Sequence, residues 1–401
     1  MSTINRKLLR ALAFGLAPTI FPVSAMVSHA IDLKAKEQKY RRERLFSGER
    51  YPYVAANGNK PKSMAEILEE LRSVPLNSNM LGGISSTLVF SMADVIPMML
   101  ECRKSTCGVV YKYPSEFERV VIKSEDGTPL CAMVGIHKDG RKRPALIMVH
   151  GLFGSKSVWF SQQVVLSAYY GWGYNVMALD LRFFGESKLY SDAPGTGGWK
   201  EGQDIIAAAR YMKSLPEVTS VAVMGGSYGG ASAMCAAYQS EPRDLIDGGI
   251  ISWGGYGYMP DQVRFISTLP KPSEPFFTFY FYFMGCFTLT LGGKVLTFRN
   301  FEEYLRKHSA SYYGVDGDFI LEKSSAALHF DEVKTPLFII NSQDDPIIPA
   351  SQAKFMEERS RSNPNIKVWL MERGGHCAFS VVDRQWMSRV TRGFFNYWAK
   401  T

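Results

Sequence analysis

From residue 117 onward, short apolar runs alternate with stretches of helical periodicity. The runs 120–123 and 130–136 flank Glu125-Asp126-Gly127, which predicts two strands joined by a hairpin turn. Further β-branched or aliphatic runs follow at 145–150, 175–181, 218–225, 248–253, 336–341 and 366–371. Helical patterns at 156–170, 201–214, 228–239, 350–360 and 382–398 separate them. A hairpin followed by strand–helix alternation predicts an α/β domain with a mostly parallel central sheet and helices on both faces. Residues 255–330 break the alternation and read as an inserted cap. Within it, 275–293 is rich in Phe and Tyr and contains no charged residue. That stretch is expected to form a buried cap helix, and its rings Phe277, Phe279 and Phe281 are candidates to wall an apolar substrate pocket.

The first part of the chain has a different texture. Residues 32–114 form a charged and then mixed N-terminal extension, with a helix expected over 63–71 and an apolar stretch at 82–100. Residues 1–31 begin with Arg6, Lys7 and Arg10, continue without charge from 11 to 31, and contain no acidic residue. That order fits a signal peptide, which would export the protein. A membrane anchor through residues 11–31 is the second reading, and a mitochondrial presequence the third. Composition is ordinary for a globular chain, with 46% hydrophobic and 21% charged residues. The formal charge of +8 is concentrated near the start: residues 1–72 carry +6 and the remaining body only +2. No basic run in the main body marks a nucleic-acid face, so nucleic acid is not expected as a partner. The cysteines show no zinc spacing and no metal site is expected; Cys102 and Cys107 are close enough in sequence to close a small disulfide loop.

The chemistry concentrates in three places. The run 221–224 leads into Gly225-Gly226-Ser227-Tyr228-Gly229-Gly230, and an Ala-rich helical stretch follows. A strand-to-helix turn this tight needs glycines to avoid clashes, and it lifts the Ser227 hydroxyl to the start of a helix. Serine is a poor nucleophile without a positioned base. Of the six histidines, His376 stands in a glycine-rich loop, Gly374-Gly375-His376-Cys377, between a late strand and the last helix. His29 belongs to the N-terminal segment, His137 ends a hairpin strand, and His308 and His329 fall in the cap. The orienting carboxylate is expected in Asp344-Asp345-Pro346, after the strand at 336–341, where either aspartate could serve. Ser227, aspartate and His376 then occur in the chain order Ser…Asp…His. The turn His150-Gly151-Leu152-Phe153-Gly154 follows the strand at 145–150 and can aim a backbone N–H at a developing oxyanion. Leu152 N–H and Tyr228 N–H are the two candidate donors, with His150 read as a structural residue of the turn.

These residues resemble the α/β-hydrolase superfamily over residues 115–401. The spacing from Asp345 to Pro349 is the usual one in that superfamily, which favours Asp345 over Asp344. More narrowly, Phe301-Glu302-Glu303-Tyr304, Ser324-Ser325, Pro336, Asp344-Asp345-Pro346 and Gly374-Gly375-His376 with Phe379 look like the AB hydrolase 4 family of membrane-associated esterases and lipid acylhydrolases. That family usually has Leu where this chain has Tyr228, and a Cys-containing Arg-Gly turn where this chain has Leu181-Arg182-Phe183-Phe184-Gly185. Gly-Gly-Ser-Tyr-Gly-Gly is also similar to prolyl-oligopeptidase-type peptidases. The resemblance implies an α/β-hydrolase fold and a serine hydrolase acting on medium-chain or lipid acyl esters, with no cofactor. The alternatives are a peptidase or amidase, an acyltransferase on the same residues, and a non-enzymatic binding protein on a hydrolase fold.

Overall fold

The computed structural model describes residues 62–76, 113–268 and 301–400, apart from 243, 378 and 380–382. The N-terminal residues 1–61, the Cys102/Cys107 pair and the aromatic run carrying Phe277, Phe279 and Phe281 lie outside the described residues.

Eight strands form one sheet in the order β1-β2-β4-β3-β5-β6-β7-β8. Strands β1 (Phe117–Lys123) and β2 (Pro129–Gly135) make the predicted hairpin, and β2 also runs antiparallel to β4 (Asn175–Leu179). From β4 onward, β3 (Arg143–Val149), β5 (Val218–Gly226), β6 (Ile250–Trp253), β7 (Leu337–Ser342) and β8 (Ile366–Met371) pair in parallel. The central strands are buried on both faces, which is why they read as continuous apolar runs. Alternate residues of β3 divide between two cores: Ala145, Ile147 and Val149 pack on one side, Leu146 and Met148 on the other.

Helices cover both faces. In chain order, α1 is Met64–Arg72, α2 is Trp159–Leu166 (continued as a π-helical turn over Ser167–Trp172), α3 is Trp199–Lys213 and α4 is Tyr228–Gln239. The later helices include α5 at Met259–Ser267, α6 at Gly317–Lys323, α7 at Ala350–Arg359 and α8 at Arg384–Trp398. Between β6 and β7 the described chain is helical, with α5, the run 301–313 and α6 packed beside α3 and α4. β4 stops at Leu179, two residues short of its apolar run, because Asp180 begins a tight turn. Its carboxylate accepts the Lys156 and Glu186 N–H groups at 2.5 and 2.8 Å.

Helix α1 shows how the N-terminal extension is tied to the body. Ser63 and Glu66 form a reciprocal capping box that starts it. Met64, Ile67, Leu68 and Leu71 are buried in the same apolar cluster as Trp386, Val390 and Phe394 of α8. Each such side chain contributes about 1.5–3 kcal/mol of transfer free energy, opposed by the ordering of the segment. Trp386 Nε1 donates to Val74 O at 3.2 Å, closing the contact at the helix end. Among the described residues no helix is long and apolar enough to cross a membrane.

Candidate active site

The parallel registers bring the chemistry to one edge of the sheet. Val149 pairs with Gly225, Gly226 with Trp253, Trp253 with Ile340, and Ser342 with Met371. The turns after β3, β5, β6, β7 and β8 therefore open side by side, at the carboxyl ends where open α/β sheets place their sites.

Ser227 sits between β5 and α4 with φ 56° and ψ −119°. A non-glycine residue in that region is strained, at a cost on the order of 1–3 kcal/mol. The surroundings hold it there: Ser227 N donates to Trp253 O at 2.7 Å and Ala231 N to Ser227 O at 3.0 Å. Gly229 has to be glycine, since a Cβ there would lie 2.4 Å from the His150 carbonyl oxygen. The Ser227 hydroxyl is 2.7 Å from His376 Nε2, and His376 Nδ1 is 2.8 Å from Asp345 Oδ2. Both Asp345 and His376 are buried. The second Asp345 oxygen accepts the Ile347 and Ile348 N–H groups at 2.8 and 2.9 Å, so the carboxylate cannot rotate off the ring. Asp344 does a different job: its Oδ1 accepts the Gly375 N–H at 2.8 Å and pins the loop beside the histidine. Geometry thus distinguishes two carboxylates that are neighbours in sequence.

The β3 turn comes up against the serine. A Cβ on Gly151 would lie 3.2 Å from Ser227 Cβ, so the backbone at Gly151 lies against the serine turn. His150 is buried and not available as a base. Leu181 N–H donates to its Nε2 at 3.2 Å, so the ring proton is on Nδ1, which donates to Gly151 O at 2.8 Å. Burial holds its pKa below the ordinary histidine value, consistent with that neutral tautomer. Tyr228 is the first residue of α4, so its N–H has no partner one turn back in the helix and faces the turn. Half-buried Leu152 and Phe183 pack into the same apolar cluster, and Phe183 (φ 71°) meets Tyr304 at 5.9 Å between ring centres.

Two buried networks near the site were not singled out from the sequence. Lys156 Nζ bridges Asp180 at 2.6 Å and Glu186 at 2.9 Å. Burial alone would lower its pKa, but the two carboxylates carry it well above the ordinary lysine value. Glu201, at the third position of α3, accepts from the Tyr228 hydroxyl at 2.9 Å and from Thr196 and Gly198. A Gly-x-x-Glu helix start is the only local signal for Glu201, and it announces a cap rather than a contact with the serine turn. Among the described residues no group of three or more His, Cys, Asp or Glu is placed to hold a metal ion; Cys131, Cys235 and Cys377 are buried and form no disulfide with one another.

The comparisons agree with this architecture. An esterase of Pyrococcus furiosus superposes with a TM-score of 0.50 at 19% identity, covering 71% of this chain and 93% of that one, a likeness of fold. Acylamino-acid-releasing enzyme 1 of Oryza sativa subsp. japonica is 34% identical over 116 residues, which is 27% of this chain and 15% of the rice protein. An uncharacterized protein of Mycobacterium tuberculosis is 29% identical over 134 residues, 32% of this chain and 43% of its own length. The matches thus span less than half the length of either curated relative. The model of the alpha/beta hydrolase family matches residues 146–385, which run from β3 through the serine turn and the acid loop into α8. With that match on an eight-stranded sheet of this order, the chain belongs to the alpha/beta hydrolase family.

Proposed function

We propose that this chain is a serine hydrolase that cleaves carboxylic esters through an acyl-enzyme, with Ser227 as nucleophile, His376 as base and Asp345 as its orienting carboxylate. The observation that carries the reading is the unbroken line of hydrogen bonds Asp345–His376–Ser227 at 2.8 and 2.7 Å. His376 Nε2 takes the hydroxyl proton as Ser227 Oγ attacks the ester carbonyl. Asp345 holds Nδ1–H and stabilises the imidazolium. The backbone N–H groups of Leu152 and Tyr228 receive the oxyanion, a contribution worth about 10²–10³ in rate per donor. Collapse of the tetrahedral intermediate expels the alcohol, protonated by His376. Water, deprotonated by the same ring, then releases the carboxylic acid and regenerates Ser227. No step calls for a cofactor.

The preferred substrates are medium-chain or lipid acyl esters. That preference rests on the uncharged aromatic run 275–293, with Phe277, Phe279 and Phe281 as the expected acyl contacts, and on the likeness of the sequence to lipid acylhydrolases. Membrane association through residues 11–31 would bring the enzyme to such substrates, and export is the matching localisation. A second reading, hydrolysis of N-acyl amino acid amides, is favoured by one observation, the local 34% identity with the rice acylamino-acid-releasing enzyme. The test is hydrolysis of p-nitrophenyl esters from acetate to palmitate beside acyl-amino acid p-nitroanilides, in wild type and Ser227→Ala. Ester turnover that peaks at medium or long chains and vanishes in Ser227→Ala is the expected result. Anilide turnover exceeding ester turnover would replace the ester reading by the second.

A further inference from the structure

We propose that the Tyr228 side chain and Glu201 are positioning residues for the oxyanion turn, and that they tie this turn to the chain inserted between β6 and β7. The inference rests on the serine-hydrolase reading above.

Residues 194–198 form a short loop ahead of α3 whose hydrogen bonds divide by direction. Four successive carbonyl groups, from Pro194 to Gly197, accept hydroxyls from the inserted chain, and the fifth, Gly198 O, accepts the Gly202 N–H inside α3. Tyr313 donates to Pro194 O at 2.8 Å, Ser309 to Gly195 O at 2.7 Å, Ser324 to Thr196 O at 2.7 Å and Tyr256 to Gly197 O at 3.0 Å. Its N–H groups point the other way. Thr196 N and Gly198 N donate to Glu201 at 2.9 Å each, and Gly197 N donates to the Tyr228 hydroxyl at 3.0 Å. The Tyr228 hydroxyl in turn donates to Glu201 Oε1 at 2.9 Å. One side of the loop is therefore held by the insert, and the other holds the residue directly after the nucleophile.

A helix cap accounts for only part of this. Capping needs the Gly198 N–H and no more, whereas Glu201 also takes Thr196 N–H, the Thr196 hydroxyl at 2.7 Å and the Tyr228 hydroxyl. Glu201 is fully buried, Tyr228 nearly so, and no ion pair to Glu201 occurs among the described residues. Leaving any of these buried donors without its acceptor would be costly, so the ring of Tyr228 has one allowed position. Its N–H, at the start of α4, is placed by the same ring. Because a misplacement on the order of 1 Å near the chemistry can cost about 100-fold, the clamp acts on rate more than on substrate affinity.

The experiment compares wild type with Tyr228→Phe and Glu201→Gln, both nearly isosteric. It measures kcat and KM on the best p-nitrophenyl ester and inhibition by a medium-chain alkyl trifluoromethyl ketone. Ser227 Oγ adds to that ketone carbonyl, His376 takes the hydroxyl proton, and the resulting hemiketal oxyanion occupies the site of the N–H donors. The expected result is a kcat lower by about 10- to 100-fold with KM within about twofold, and inhibition weakened by the same factor as kcat/KM. Should Tyr228→Phe not fold, Ser309→Ala, which sits outside the nucleophile turn, is expected to show the same parallel loss at a few-fold amplitude. Folded variants that keep wild-type kcat and wild-type ketone inhibition would overturn the inference while leaving the serine-hydrolase reading intact. A wild type that neither turns over substrate nor binds the ketone would overturn that reading, and the inference with it.

Discussion

Asp344 and Asp345 show how a single residue's role depends on backbone geometry that composition does not carry. Both are short acids in one loop after β7, and from sequence they differ only in spacing. In the folded chain Asp345 reaches His376 Nδ1, while Asp344 caps the Gly375 N–H. Replacing Asp345 by Asn keeps the shape but turns the wrong group towards the ring, and is expected to lower kcat by about 10⁴. Asp344→Asn keeps a carbonyl oxygen for Gly375 and is expected to lose less than about tenfold. Steady-state kinetics of the two variants checks the difference, and equal losses would contradict the assignment. Ser227 and His376 were legible because glycines mark both turns; Glu201 was not, because its partner Tyr228 is 27 positions away.

At the scale of elements, all eight strands of the described sheet were readable, since central strands of a parallel sheet are apolar on both faces and stand out as runs. Element starts and ends moved by one to three residues where a turn or cap decides them, as at Asp180 after β4 and at Ser63 before α1. What the sequence could not show is how elements are tied across long separations. Arg182, buried after β4, is one such tie: it pairs with Asp204 of α3 at 2.6 Å and with Asp126 of the hairpin turn at 2.7 Å. Burial would raise the pKa of Asp126, but hydrogen bonding and charge from Arg182 outweigh it and bring the value down to about 2. A carboxyl whose pKa is depressed on folding stabilises the folded state above its unfolded value and loses that contribution as pH falls through the folded one. Asp126→Asn is therefore expected to lower stability near neutral pH by about 1 kcal/mol, with the difference from wild type fading between about pH 4 and pH 2. Chemical denaturation across that range checks it; a difference independent of pH would assign the loss to packing instead.

For the molecule as a whole, fold class followed from the alternation of strands and helices, whereas sheet order did not. The neighbours β2-β4-β3-β5 come from crossovers, and they set which turns meet at the serine. Once β3 and β5 lie together, the His150-Gly151 turn must contact Ser227, and once β7 and β8 follow β6, the acid and histidine loops must face each other. The same topology places the inserted chain over α3 and α4, where it grips the 194–198 loop. The central claim, that Ser227 is an activated nucleophile, is tested most directly by treating the protein with an alkyl fluorophosphonate and mapping the adduct by peptide mass spectrometry. The account predicts stoichiometric modification at Ser227, lost in Ser227→Ala and strongly slowed in His376→Ala. Modification at another residue, or none in a folded and otherwise intact protein, would contradict it.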